Sequence, residues 1–446
     1  MPVSPVMSIV NTLAAEIQSG KLPPGAALPT HRQLAAQYGV AVASASKVYA
    51  HLGALGWVVG ETGRGTFVRD RPGQREWDSA DEARLSADTL DLSFNHPTWP
   101  GQAELLRNTL RELAASGDLA ALMHQQPPGG RRHERQVVAD FLLAERGVHV
   151  DAEQVFLVNG SQQGLDMTVR ALLRPHDTVA VDALTYPGFK MVAGVQGLTM
   201  KPVPYSDDGP DLGALDALCG RERVRAIYAM PAMHNPLGWV LTARQRQRMV
   251  SIARCHDCLL IEDASYAFLA GRTAPALITL APERTIYVSS LSKSVASGLR
   301  FGFAVVPKTH AGRIKSVIRA SYWSLPSVMT AMATRWVAAG VVAEREKAQR
   351  ADARRRQKIA QDVLAGMEFM AHPNSLFLWL PLPQDLRMDR IATALAEHGI
   401  AVSKAEAYAT TRHAPHALRL GLSSVPADLL ATALLRVRHT VEQFPI

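Results

Sequence analysis

A chain of 446 residues with 47 % apolar composition is long enough for two or three domains and can bury at least one sizeable core. The formal charge of +8 permits a nucleic-acid partner without requiring one, and three cysteines are too few for a disulfide framework. No apolar stretch reaches the roughly eighteen residues needed to span a bilayer, and no charged n-region followed by an apolar h-region opens the chain, so the expected location is the cytoplasm with no membrane partner.

The run from Val6 to Ile17 carries apolar residues at helical spacing, and Gly20 with Pro23-Pro24-Gly25 supplies a backbone that cannot continue a helix. A second helix is expected after Leu28-Pro29-Thr30, with the Thr30 hydroxyl placed to cap free amides, running to Tyr38 and turning at Gly39. A third spans about Ala43 to Leu55 and stops at Gly56. Residues 57–68 then alternate like a two-stranded hairpin with a glycine tip. Three helices followed by a hairpin is the winged form of helix-turn-helix, so residues 1–70 are expected to bind double-stranded DNA.

Arg32 and Lys47 are the candidate phosphate or groove contacts. Ser44 and Ser46 can reach phosphates or base edges, and Arg64 at the wing tip is placed to enter the minor groove. Residues 1–70 carry five Lys/Arg against three Asp/Glu, a net charge of only +2. Affinity for DNA scales with the phosphates neutralised, so one such module binds weakly at physiological salt, and a dimer on paired half-sites is expected.

Residues 71–90 hold three arginines and five acids with few apolar residues, the composition of a solvated linker. Residues 91–446 form the expected second domain. There, short apolar runs at Val155–Val158, Thr178–Val181, Arg225–Met230, Cys258–Ile261, Thr285–Val288 and Phe301–Val306 alternate with amphipathic stretches such as Ser161–Leu173, Ala243–His256 and Ala343–Met367. This pattern predicts an α/β fold: a mostly parallel sheet with helices on both faces. Cys255-His256-Asp257-Cys258 has the C-x-x-C spacing but no second pair to complete a zinc site, so no metal is assigned and a plain helix-to-strand junction is expected.

The chemistry lies in polar residues punctuating these runs. Asn159-Gly160-Ser161-Gln162-Gln163-Gly164, Tyr186, Asn235-Pro236, Asp263-Ala264-Ser265-Tyr266, Ser290-Leu291-Ser292-Lys293, Arg300 and Arg419 follow in the order and spacing that would hold pyridoxal 5'-phosphate. Lys293 is the candidate Schiff-base lysine. Gly160-Ser161-Gln162, turning from strand into helix, offers unpaired amides to the phosphate, with Ser290 and Arg300 adding a hydroxyl and a guanidinium. Asp263 is placed to keep the pyridine nitrogen protonated, because a nearby negative charge favours the charged form. Asn235 and Tyr266 would donate to the ring's phenolic oxygen, Tyr186 would stack on the ring, and Arg419 would clamp the carboxylate of a substrate or effector. The segment Ser93–Trp99 is expected as a wall of the pocket. Ser290-Leu291-Ser292-Lys293 also fits the S-x-x-K of serine acyl-enzymes, but neither S-D-N nor K-T-G accompanies it.

Residues 92–446 resemble the fold type I aminotransferases. The pattern Gly20-x-Leu22-x-Pro24-Gly25-x-x-Leu28-Pro29-Thr30-x-Arg32-x-Leu34-Ala35 is similar to the GntR winged helix. The combination resembles the MocR/GabR subfamily of bacterial transcription regulators. That resemblance implies a smaller C-terminal subdomain and a cofactor-bound, domain-swapped head-to-tail homodimer controlling genes of amino-acid or vitamin B6 metabolism, with an amino acid or B6 vitamer as effector. Where such proteins often carry a tyrosine reaching the neighbouring subunit's phosphate, this chain has Gln125 with His124 beside it. The usual arginine of the third helix is Val42, so direct base reading is expected to be slight. Because all groups for transamination are present, a working aminotransferase with an accessory DNA-binding domain is the alternative.

Overall fold

The computed structural model describes residues 5–18, 21–23, 25–54, 57–61, 65–68, 89–116, 119–206, 208–271, 274–383 and 386–444. These fall into two compact units, one comprising Met1–Thr89, Gln384–Ala401 and Gln443–Ile446, the other Leu90–Pro383 and Val402–Glu442.

The first unit opens with α1 (Pro5–Gln18), α2 (His31–Tyr38) and α3 (Val42–Ala54), followed by an antiparallel hairpin of β1 (Val58–Glu61) and β2 (Gly65–Val68). Ile9, Val10, Leu13 and Ile17 recur at helical spacing on α1 and bury against Leu34, Val48, Leu52, Val58 and Val68. At the start of α2, the Thr30 hydroxyl accepts from the Gln33 amide while the Gln33 side chain accepts from the Thr30 amide, a reciprocal cap. Gly39 ends the helix in the left-handed region at φ 64°, where a side chain would be strained. Tyr49 of α3 fixes the approach to α2, its hydroxyl donating to the Pro29 carbonyl at 2.5 Å.

The second unit contains β3 (Leu90–Leu92), β4 (Val155–Val158), β5 (Thr178–Asp182), β6 (Thr199–Val203), a two-residue ribbon β7 (Tyr205–Ser206) and β8 (Gly209–Pro210), then β9 (Val224–Ala229), β10 (Leu259–Asp263), β11 (Thr285–Ser290), β12 (Gly302–Val305), β13 (Phe377–Pro381), β14 (Ile400–Lys404, of which Val402 onward lies in this unit) and β15 (Ala417–Gly421). The large sheet has the order β4-β12-β11-β10-β9-β5-β6. All its strands run in one direction except β12, which is antiparallel to both β11 and β4.

Side chains alternate between two cores, one on each face: Phe156, Val158, Ile286 and Val288 enter one, Val155, Leu157, Tyr287 and Phe303 the other. Burial on both faces is why these strands read as continuous apolar runs. The helix Gly160–Leu172 packs closely on the sheet because Gly164 carries no side chain; a Cβ there would lie 2.7 Å from Val288 Cγ1. The smaller sheet, β13-β15-β14-β3, places Arg419 on its β15 strand between Trp379 and Ser403. Cys255 ends the helix Ala243–Cys255, and Cys258 directly precedes β10, donating its thiol to the Val224 carbonyl at 3.2 Å. Among the described residues, no helix is long and apolar enough to cross a membrane.

Candidate functional site

The direction of the strands assembles the site. β4, β5, β9, β10 and β11 all finish at the same edge of the large sheet, and β12 alone begins there. Ligands of open α/β sheets bind beyond the carboxyl ends of the strands. The residues following β4 (Asn159 to Gln162), β5 (Tyr186), β9 (Asn235) and β11 (Lys293), the last residues of β10 and β11 (Asp263 and Ser290), and the residue two before β12 (Arg300) therefore share one rim.

At one end of the rim Gly160 has φ 77°, and Arg300, itself left-handed at φ 49°, donates Nη2 to the Asn159 carbonyl at 3.1 Å. A Cβ on Gly160 would lie 2.9 Å from that guanidinium, and one on Gly302 would lie 2.8 Å from Gly160 Cα. Two glycines thus let the start of β12 and the turn after β4 touch, which brings an arginine against a helix start whose amides lack intrahelical partners. Ser290 pairs with Gly302 at the end of β11 and is buried. Gln162 donates Nε2 to the Gly188 carbonyl at 2.8 Å, while its buried Oε1 has no hydrogen-bond partner among the described residues.

Asp263 is buried in the middle of the rim. Tyr228 donates its hydroxyl to Oδ2 at 2.8 Å, and the Ser265 amide donates to Oδ1 at 3.0 Å. Ser265 Oγ lies 2.6 Å from Asp263 Oδ1 and 2.8 Å from Ser161 Oγ, linking the carboxylate to the helix start. Burial pushes the Asp263 carboxyl above its ordinary value, although the hydrogen bonds from Ser265 and Tyr228 act in the opposite direction. Burial, with the Asp263 charge, likewise raises the phenol of half-buried Tyr186, the residue directly before the helix Pro187–Val195. Asn235 is buried, and its Oδ1 has no hydrogen-bond partner among the described residues.

At the other end, Lys293 Nζ donates to the Asn95 carbonyl at 2.9 Å and lies 5.4 Å from the Phe94 ring centroid. Arg419 is buried, 4.7 Å over the Phe377 ring, with Nη1 donating to the Ser93 carbonyl at 3.1 Å. Tyr266 stands between the two cations. Burial alone would raise its phenol, but the charges of Lys293 and Arg419 outweigh it and hold the group below its ordinary value.

The rim therefore gathers the predicted residues Gly160, Ser161, Gln162, Tyr186, Asn235, Asp263, Tyr266, Ser290, Lys293 and Arg300, and β15 supplies Arg419. Tyr228, Ser265 and Asn95 were not singled out from the sequence. Ser265 sits inside the Asp263–Tyr266 motif, so its spacing offered a signal. Tyr228 is one apolar-looking strand residue among many, stacked on Phe189 at 3.8 Å, and Asn95 carries no pattern of its own.

In the other unit, Ala45, Val48, Tyr49 and Leu52 turn one side of α3 inward, while Val42, Ser46 and Lys47 are exposed and Ser44 is half-buried. Arg32 is exposed on α2, and Ser46 Oγ donates to the Val42 carbonyl at 3.1 Å. Arg64 lies outside the described residues. Gln125 and His124 are exposed beyond the helix Leu119–Met123.

A winged helix joined to an α/β domain with a lysine, an aspartate and two arginines around one sheet edge defines a regulator built on an aminotransferase scaffold. Residues 87–437 match the family described as aminotransferase class I and II, and residues 6–68 match the bacterial regulatory proteins of the gntR family. The chain belongs to the aminotransferase class I and II family and carries a GntR winged helix, the architecture of MocR/GabR-type regulators. It is 26 % identical to the HTH-type pyridoxine biosynthesis transcriptional regulator PdxR of Corynebacterium glutamicum, over 99 % of this chain and 96 % of that one. It is 29 % identical to the probable rhizopine catabolism regulatory protein MocR of Rhizobium meliloti, over 69 % of this chain and 66 % of that one. Among solved structures, an archaeal alanine:glyoxylate aminotransferase superposes with a TM-score of 0.78 at 20 % identity, covering 84 % of this chain and 96 % of its own.

Proposed function

We propose that this protein is a DNA-binding transcription regulator whose aminotransferase-like domain binds pyridoxal 5'-phosphate, and that an amino acid or B6 vitamer at the same site sets its affinity for an operator. The observation that carries this reading is the convergence of Lys293, Asp263, Arg300 and Arg419 with the glycine-lined helix start on one crevice. The residues fit the cofactor. Buried Asn235 Oδ1 and Gln162 Oε1 have no partner among the described residues, Gly160 and Gly302 keep side chains out of the cradle, and Asp263 is a buried carboxylate awaiting a cationic neighbour.

In this reading Lys293 holds the aldehyde carbon, and Gly160, Ser161, Gln162, Ser290 and Arg300 hold the phosphate. Asp263 faces the ring nitrogen, Asn235 and Tyr266 face the phenolic oxygen, and Tyr186 covers a ring face. The bound cofactor supplies an electron sink. Ser265 and Tyr228 keep Asp263 oriented, and Arg419 receives the effector's carboxylate. On the DNA side Arg32, Ser44, Ser46, Lys47 and Arg64 are the contacts, acting in the cytoplasm on the nucleoid. Two modules act together in a domain-swapped head-to-tail homodimer, in which exposed Gln125, with His124 beside it, stands where related proteins often carry the tyrosine that reaches the neighbouring subunit's phosphate.

A ligand alters operator affinity only if the two arrangements of the domain bind it differently. The test pairs absorption spectroscopy with gel shifts on the DNA upstream of the protein's own gene. The wild type is expected to show a visible band with pyridoxal phosphate that Lys293→Ala lacks, and an operator affinity that changes with cofactor and with a panel of L-amino acids. A colourless protein, or an operator affinity indifferent to ligand, sinks the reading. The complete set of side chains around Lys293 also supports an aminotransferase reading, and rapid turnover of an amino-acid and keto-acid pair without any DNA footprint would favour it.

A further inference from the structure

Arg419 is not idle in this structure. With its amide oriented to satisfy both ends, the buried Asn95 side chain accepts from Arg419 Nη2 at 2.7 Å and from the Tyr266 hydroxyl at 3.1 Å, while its nitrogen donates to the Leu376 carbonyl at 2.8 Å. Nη1 donates to the Ser93 carbonyl at 3.1 Å, and the buried Nε has no hydrogen-bond partner among the described residues. The guanidinium is thus held by the Ser93 and Asn95 oxygens of one segment, with the Tyr266 hydroxyl beside it, while Nε has no acceptor among the described residues. Unmet buried donors are costly, and a carboxylate is the acceptor that meets two of them at once.

A carboxylate can grip a guanidinium along either of two edges, Nε with Nη2 or Nη1 with Nη2. Both include Nη2, the nitrogen that Asn95 occupies. The same segment is tied to the rest of the site: Lys293 donates to the Asn95 carbonyl at 2.9 Å, and Ser403 Oγ donates to the Ser93 carbonyl at 2.8 Å. Gly421, two residues beyond Arg419 on β15, leaves room for the segment, since a Cβ there would run into the Phe94 carbonyl.

We propose that Asn95 is an internal occupant of the Arg419 clamp: its amide oxygen stands where a ligand carboxylate oxygen binds, and the two compete for Nη2. This rests on the reading of Arg419 as the carboxylate site and deepens it. Ligand entry turns the Asn95 amide off Arg419 and Tyr266, so the segment leading out of β3 differs between the empty and filled states. Removing the amide does not unseat Arg419, because the Ser93 carbonyl and the Phe377 ring still hold it.

The test uses the full-length apoprotein and two defined probes: N-(5'-phosphopyridoxyl)-L-alanine, which carries an α-carboxylate, and pyridoxamine 5'-phosphate, which does not. The ratio of their affinities isolates what the carboxylate gains. Asn95→Ala is expected to raise that ratio by about tenfold, the equivalent of one charge-assisted hydrogen bond. Asn95→Asp, which places a permanent carboxylate on Arg419, is expected to lower it by about tenfold or more. Opposite movements in two variants that both still bind pyridoxamine phosphate cannot arise from misfolding. A ratio unchanged in both, or lowered in both, overturns the competition. A wild type that binds both probes equally removes Arg419 from the carboxylate role, and one that binds neither removes the cofactor reading itself; either takes the proposal with it.

Discussion

At the residue scale, the site depends on how few alternatives its positions tolerate. Arg300, an exposed residue, reaches the turn after β4 because Gly160 and Gly302 are bare, which brings its guanidinium against the helix start. Replacing it with alanine should weaken cofactor binding by about 1.5–3 kcal/mol, the worth of a hydrogen bond to a charged group. Equilibrium titration of the apoprotein measures this directly, and an unchanged dissociation constant removes Arg300 from the phosphate role. These roles were legible in part. Lys293, Asp263, Arg300 and Arg419 each stand in a local pattern that alone has an ordinary reading, and only their shared order and spacing points to one cofactor. Asn95 fell only within the segment Ser93–Trp99 expected as a pocket wall, because what gives it a role of its own is an arginine on β15, far along the chain.

At the element scale, α3 is oriented by a hydroxyl. Tyr49 donates to the Pro29 carbonyl, and burial first, then the neighbouring Tyr38, push its phenol up to about 12 from the ordinary 10. The folded chain therefore holds this proton more tightly than the unfolded chain. Its contribution is whole below pH 10 and shrinks between pH 10 and about 12, where the unfolded chain alone ionises. Tyr49→Phe should cost about 1 kcal/mol at neutral pH, and the gap to wild type should narrow as pH passes 10. Denaturant unfolding at pH 7 and at pH 11 measures both, and a gap that widens with pH contradicts the assignment.

Elements buried on both faces, such as β9 and β11, announced themselves as apolar runs. β6 did not, because as an edge strand it carries exposed Thr199 and Pro202 and half-buried Lys201. The apolar run Cys258–Ile261 marks β10, which extends to Asp263 as its last residue.

At the scale of the whole molecule, electrostatics argues for paired DNA contacts. A module with a net charge of +2 over residues 1–70 neutralises few phosphates. In the dimeric reading, the second module binds at the effective concentration set by the first. Scrambling one half-site of the operator should therefore weaken binding by roughly 10²–10⁴-fold, with a shallower dependence on salt. A gel-shift titration across salt concentrations checks this, and an intact affinity on a single half-site would show that one module suffices.

The periodicities that define helices, strands and hairpin, and the identity of the reactive side chains, were set by the sequence itself, because hydrogen bonding and burial repeat over a few residues and leave a local imprint. Strand order was decided only in three dimensions. The reversal of β12 carries Arg300 back to Gly160, the shared direction of β4, β5, β9, β10 and β11 delivers their ends to one crevice, and the smaller sheet sets Arg419 against Asn95. Such meetings follow from which distant surfaces bury one another, and no local pattern of residues encodes that.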